Sequence, residues 1–219
     1  DIQMALFTGY SPSEFSRWPS SGWITGAVSD LSILLQSASV PPEVVDEAAE
    51  HLIDGVTEAG GLLGELASAY PGAIQRISEE LRQEDGDQTR GMTATILVNA
   101  FVFHERLAGG PGMLSTVQAL EELRGFKGGL GKSTVLEQWR SILAADYWPI
   151  FDIARRIIEV IPAGHSQPLI ERLVHTAEKL LESGLMRSHD LTGAVFQRLI
   201  ADRKYLAAYY TTPASAALL

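Results

Sequence analysis

Apolar residues recur along this chain at helical spacing. Val45, Ala48, Ala49, Leu52, Ile53 and Val56 fall at i, i+3, i+4, i+7, i+8 and i+11 behind Pro42. That stripe lies on one face of an α-helix, with a proline placed where the first turn needs no N–H. The same template fits Met92, Thr95, Ile96, Asn99, Ala100, Phe103 and Leu107, starting near Thr89 and ended by Gly109-Gly110-Pro111-Gly112. Further helices are predicted over about 22–38, 61–69, 71–84, 113–123, 134–147, 149–160, 168–183 and 190–201. No segment alternates strictly between apolar and polar positions, as a half-buried strand does. The expected fold is therefore all-α, a multi-helix domain of about ten helices without strands.

Glycine punctuates this pattern. Gly109 to Gly112 and the run Gly125-Phe126-Lys127-Gly128-Gly129-Leu130-Gly131 are the natural hinge points. They suggest an acidic helical subdomain over 1–110, a second helical subdomain over 111–189, and a separate segment over 190–219. The aromatic, Ser/Pro-rich stretch before Ser20 is expected to pack as an extended arm, and no repeat recurs at a fixed period.

Charge changes the picture more than composition does. With 219 residues, 46% of them hydrophobic, the chain can build a substantial core. No stretch approaches the length of apolar run that spans a membrane, and Asp1-Ile2-Gln3-Met4 lacks the order of a secretory signal, so a cytoplasmic protein without a membrane partner is expected. The absence of cysteine rules out disulfides and thiolate metal sites and fits a reducing compartment. A net charge of −10 argues against a nucleic-acid clamp along the whole chain. The charge is uneven, however: residues 1–110 carry five basic groups against sixteen acidic, and residues 111–219 carry twelve against eleven. A nucleic-acid face therefore belongs in the second half, where Lys127, Lys132, Arg198, Arg203 and Lys204 are the DNA-binding candidates.

Several motifs invite chemistry. Gly131-Lys132-Ser133-Thr134 suggests a phosphate-binding loop, but that loop needs a glycine six positions before the lysine and a buried strand ahead of it. Phe126 stands at the glycine position, and Leu120 to Arg124 is helical in pattern. A capping box of Thr134 with Glu137, opening a helix that carries Leu136, Trp139 and Leu143, accounts for the string better. His104-Glu105 and His175 to Glu178 lack the His-Glu-x-x-His spacing that sets two ligands on one helix face, so no metal site is expected. In Asp146-Tyr147-Trp148-Pro149-Ile150-Phe151-Asp152-Ile153-Ala154, Pro149 can occupy the first turn of a helix while Trp148, Ile150 and Phe151 form an apolar corner. Near the end, Asp190 can cap a helix bearing Phe196, Leu199 and Ile200, with Arg203-Lys204 in its last turn. Thr212-Pro213 then starts another helix, whose free N–H groups suit a carboxylate or phosphate.

The run from Asp190 through Tyr209-Tyr210-Thr211-Thr212-Pro213 to Leu219 resembles the lead-in segment of the N-6 adenine DNA methyltransferases of restriction-modification systems. The Tyr147-Trp148-Pro149-Ile150-Phe151 string is similar to one that precedes that segment in large single-chain members. The likeness covers residues 138–219. It implies that Tyr210, Thr211, Thr212 and Pro213 line the S-adenosylmethionine pocket near the methionyl group, with the Ala214 to Leu219 helix packing on a cofactor sheet. The extra threonine departs from the commoner Tyr-Thr-Pro, so both hydroxyls remain candidates for the contact. The resemblance also calls for a glycine turn and an Asn/Asp-Pro-Pro-Tyr/Phe tetrapeptide that receives the flipped adenine. These 219 residues contain neither, and Pro41-Pro42 is a helix start. No catalytic residue is therefore assigned.

The resulting expectation is the amino-terminal helical domain of an S-adenosylmethionine-dependent DNA methyltransferase from a restriction-modification or phage-defence system, inactive as a fragment. Residues 190–219 would form a linker and the first segment of its methyltransferase domain. Its partners would be DNA, the remaining methyltransferase domain, and a specificity or nuclease subunit. The alternative is a non-enzymatic helical protein-protein interaction module, which accounts better for the acidic first half.

Overall fold

A computed structural model describes residues 2–8, 16–19, 21–31, 42–109, 116–125, 129–145 and 148–182. The fold is predominantly helical, and its first thirty residues depart from the predicted pattern. β1 (Ile2–Met4) pairs antiparallel with β4 (Ile24–Gly26), and β2 (Leu6–Thr8) with β3 (Ser16–Trp18). These are two separate two-stranded sheets, with Ala5 alone between β1 and β2 and residues 19–23 between β3 and β4. Arg17 reaches across the connection between β3 and β4: its guanidinium lies 5.5 Å from the Trp23 ring centroid and donates to the carbonyls of Pro19 (2.6 Å) and Gly22. The helix expected over 22–38 thus begins as a strand. It turns helical at Val28, where Asp30 Oδ2 accepts the Ala27 N–H (2.7 Å), and residues 32–41 lie outside the description. Strands of three residues are too short to show the alternation by which strands are recognised.

Seven helices follow among the described residues: α1 (Pro42–Ala69), α2 (Pro71–Leu81), α3 (Asp87–Gly109), α4 (Leu120–Arg124), α5 (Lys132–Ala145), α6 (Trp148–Val160) and α7 (Ala163–Leu180). The stripe behind Pro42 is the inner face of α1, where Ala48, Ala49 and Leu52 are buried. α1 does not break at Gly60-Gly61 to give separate helices; it runs on to bury Ala59, Leu63 and Leu66. Each mid-helix glycine costs about 1 kcal/mol relative to alanine, and burial of the leucines at either end outweighs that loss. α2 stops at Arg82, which takes the left-handed conformation (φ 53°) while the Gln83 N–H returns to the Ser78 carbonyl (3.0 Å).

α3 is the central helix. It packs against α1, α2, α6 and α7, so it is apolar nearly all round. Thr93, Ala94, Leu97, Val98, Phe101 and His104 are buried, whereas Met92, Ile96, Phe103 and Leu107 of the predicted stripe are only half-buried. Phe101 meets the Trp139 ring at 5.1 Å, and Trp139 meets Phe151 edge-on at 5.8 Å. Of the apolar corner expected at residues 148–151, Phe151 is buried and Ile150 half-buried behind Pro149 in the first turn of α6, while the Trp148 side chain lies outside the description. Among the described residues one hydrophobic core joins all seven helices, α4 contributing Leu120 and Leu123.

Two helix starts differ from expectation. α5 begins at Lys132 rather than Thr134, and the Val135 N–H bonds the Gly131 carbonyl (3.0 Å). The Thr134 hydroxyl points back to the Gly129 carbonyl (3.5 Å), so the Thr134/Glu137 capping box does not form. α7 begins at Ala163, five residues before Pro168, which lies inside the helix with its ring exposed. The predicted helices over 113–123 and 190–201 fare differently: only Leu120–Arg124 of the first is a described helix, and the second lies outside the described residues. No helix among the described residues is long and apolar enough to cross a membrane.

Candidate phosphate-facing cleft

A buried polar network fixes the orientation of α5. His104 on α3 is fully buried; its Nε2 donates to the Gln118 carbonyl (2.8 Å) and its Nδ1 accepts from Trp139 Nε1 (3.2 Å). Because the indole N–H can only donate, the histidine must be the neutral Nε2–H tautomer. Burial pushes its pKa below the usual 6.5, and the bond to Gln118 opposes that shift. Gln138 Oε1 accepts the Gln118 N–H (2.9 Å), and Glu105 Oε2 accepts the Leu120 N–H at the start of α4 (2.8 Å). The segment 117–120 is thus stitched between α3 and α5. His104 is a satisfied core histidine, not a ligand, and His175 is exposed. No group of three metal-ligating side chains occurs among the described residues.

With Trp139 turned inward, α5 presents Lys132, Ser133, Leu136 and Arg140 to a cleft of about 460 Å³ that is closed on its other side by Ala163, Ser166 and Gln167 of α7. The Lys132 ammonium caps α6 by donating to the carbonyls of Glu159 (2.7 Å) and Ile161 (2.5 Å). These are orphan acceptors of a helix end, and a cation there is favoured by the helix dipole. Partial burial lowers the Lys132 pKa, opposed by the Glu159 charge. Arg140 is 62% exposed and reaches Glu159 at only 3.4 Å. Glu159 is held more closely by Arg155 (2.7 Å), whose pKa is raised chiefly by its hydrogen bond to Asp152. Arg156 continues the ion-pair chain by linking Asp152 (3.0 Å) to Glu80 of α2 (2.6 Å).

Of the residues the sequence nominated, only Lys132 lies among those described. Lys127, Arg198, Arg203 and Lys204, and the cofactor candidates Tyr210, Thr211, Thr212 and Pro213, lie outside them. The sequence pointed to Ser133 only within the phosphate-loop string, and Arg140, Ser166 and Gln167 escaped sequence reasoning. A signal for Arg140 was present: Lys132, Leu136 and Arg140 follow one another at four-residue spacing and so share a helix face. It was hidden because the helix was expected to open two residues late. Comparison with protein-family models, curated proteins and solved structures finds no match.

Proposed function

We propose that this chain is the amino-terminal helical region of an S-adenosylmethionine-dependent N-6 adenine DNA methyltransferase of a restriction-modification or phage-defence system. The observation that carries the proposal is the run Asp190 to Leu219, with its Arg203-Lys204 pair, its Tyr210-Thr211-Thr212-Pro213 turn and its Ala/Leu-rich end. The Tyr147 to Phe151 string supports it. In this assignment Tyr210, Thr211, Thr212 and Pro213 form one wall of the cofactor pocket. Lys127, Lys132, Arg198, Arg203 and Lys204 face DNA phosphates, and a further domain supplies the glycine turn and the adenine-binding tetrapeptide. The first experiment reads the coding sequence past Leu219. An Asp-x-x-x-Gly-x-Gly-like turn followed by Asn/Asp-Pro-Pro-aromatic is expected, and a frame lacking both overturns the assignment. Calorimetric titration of S-adenosylmethionine into the 219 residues alone should give weak or no binding. Micromolar binding would place the pocket elsewhere.

One observation favours the second reading, a helical protein-protein interaction module. Asp46, Glu47, Glu50, Asp54, Glu58 and Glu65 are exposed along α1, a surface suited to a basic protein partner such as a specificity or nuclease subunit. Co-purification of such a subunit by the wild type, lost on neutralising Glu50 and Asp54, is the outcome this reading expects.

A further inference from the structure

We propose that the cleft between α5 and the start of α7 seats one backbone phosphate of duplex DNA, with Arg140 as its principal contact. The inference rests on the methyltransferase reading for the identity of the ligand, while the cleft itself supplies the phosphate chemistry. In a chain of net charge −10, the residues lining this cleft include two cations and, among the described residues, no carboxylate. Glu159 stands at its rim, already engaged by Arg155. Arg140 projects from α5 with most of its surface in solvent and one long ion pair, so its planar donor fork can meet an oxyanion at little loss. Lys132 uses two of its three N–H donors on the α6 carbonyls, which holds the ammonium in place and leaves one donor over. The Ser133 hydroxyl adds a neutral donor, and the Gln167 amide, which already donates to Glu171 Oε1 (2.7 Å), keeps one N–H over. The two cations supply the attraction; the start of α7, with Pro162 as its N-cap and no acidic residue in its first turn, adds a dipole of the same sense. The cleft is open to solvent, which suits a phosphate carried on a strand passing across the surface more than a small molecule that must be enclosed.

The test measures fluorescence anisotropy of a labelled DNA duplex with the 219-residue chain against NaCl concentration, for wild type, R140A and R76A. Arg76 lies exposed on α2 and is the control for loss of one positive charge. For R140A the slope of log affinity against log salt should become shallower by about one, so its deficit relative to wild type should shrink about three- to fourfold between about 50 and about 200 mM salt. R76A should keep the wild-type slope. Thermal melting confirms that R140A is folded. An unchanged slope in R140A, or an equal change in R76A, overturns the proposal while leaving the methyltransferase assignment to its own test in the coding sequence. Inorganic phosphate serves as the second probe. If it binds at micromolar concentration through Arg140 while duplex binding ignores R140A, the cleft takes a free oxyanion and the DNA assignment falls.

Discussion

Gly55 on α1 packs directly against Thr176 on α7, and replacing it with alanine should destabilise the fold. A Cβ at position 55 would lie 2.7 Å from the Thr176 Cβ and closer still to its Oγ1 and Cγ2. Carbon atoms pack best about 3.5–4.0 Å apart, so the helices would have to separate by roughly 1 Å. Rotation about χ1 of Thr176 gives no relief, because the Cβ is fixed to the backbone and the side chain branches there. Thr176 is itself buried and its hydroxyl bonds the Arg172 carbonyl (3.0 Å). Overpacking of this kind costs about 1–3 kcal/mol, and here it strains the crossing of two long helices that bury Leu52, Ala59, Leu173 and Ala177. Alanine returns about 1 kcal/mol in helix propensity. With the clash at the upper end of that range, because no rotamer of Thr176 avoids it, the net loss reaches about 2 kcal/mol, or a fall of about 4–8 °C in melting temperature for a protein of this size. Urea unfolding followed by circular dichroism measures it. The double variant Gly55→Ala/Thr176→Gly should recover the clash energy, leaving a coupling of at least about 1 kcal/mol. If Gly55→Ala alone matches or exceeds wild-type stability, the close helix crossing is wrong.

The neutral, buried His104 gives stability a defined pH dependence. Its folded pKa is depressed, so the unfolded chain binds the proton first; its contribution is complete above about pH 6.5 and is lost as pH falls from there toward the folded value. Urea midpoints between about pH 7.5 and 5.5 should decline in wild type and decline less in His104→Gln; parallel curves would remove histidine as the cause. Lys132→Met should cost about 1–3 kcal/mol by orphaning the Glu159 and Ile161 carbonyls. Hydrogen exchange should then locate the loosening at the α6–α7 turn, and unchanged protection there would show that water replaces the ammonium without loss.

The features legible in the sequence were those set by local periodicity. α1, α2 and α6 announce themselves by one apolar face and a proline at the start, because each covers the core from one side. α3 was recognised as a helix, but its buried face was misjudged. A helix surrounded by neighbours has little contrast between faces, and Met92, Ile96 and Phe103 compete with Leu97, Phe101 and His104 on nearly equal terms. The strands were missed for the opposite reason: each is three residues long, too short for an alternating pattern to show. Pro168 misled because proline usually marks a helix start, whereas here the helix absorbs it on an exposed face.

The same limit explains why Lys132 admitted three readings. Beside Gly131 and Ser133 it suggests a nucleotide loop, in the more basic half of the chain it suggests DNA, and in the fold its ammonium closes a helix end contributed by residues 27 and 29 positions away. Residue type and neighbours fix which groups a side chain can bind, but only the tertiary structure fixes which of them it has already bound. Two of the three lysine donors are committed, so the capacity of this cleft to attract a phosphate shifts from the residue the motif highlighted to Arg140, one turn beyond Leu136 on the same face. A variant at Lys132 would confound lost capping with lost binding. Arg140, exposed and held by one long ion pair, separates the two, and for that reason the slope measured with R140A tests the cleft rather than the stability of the helices that form it.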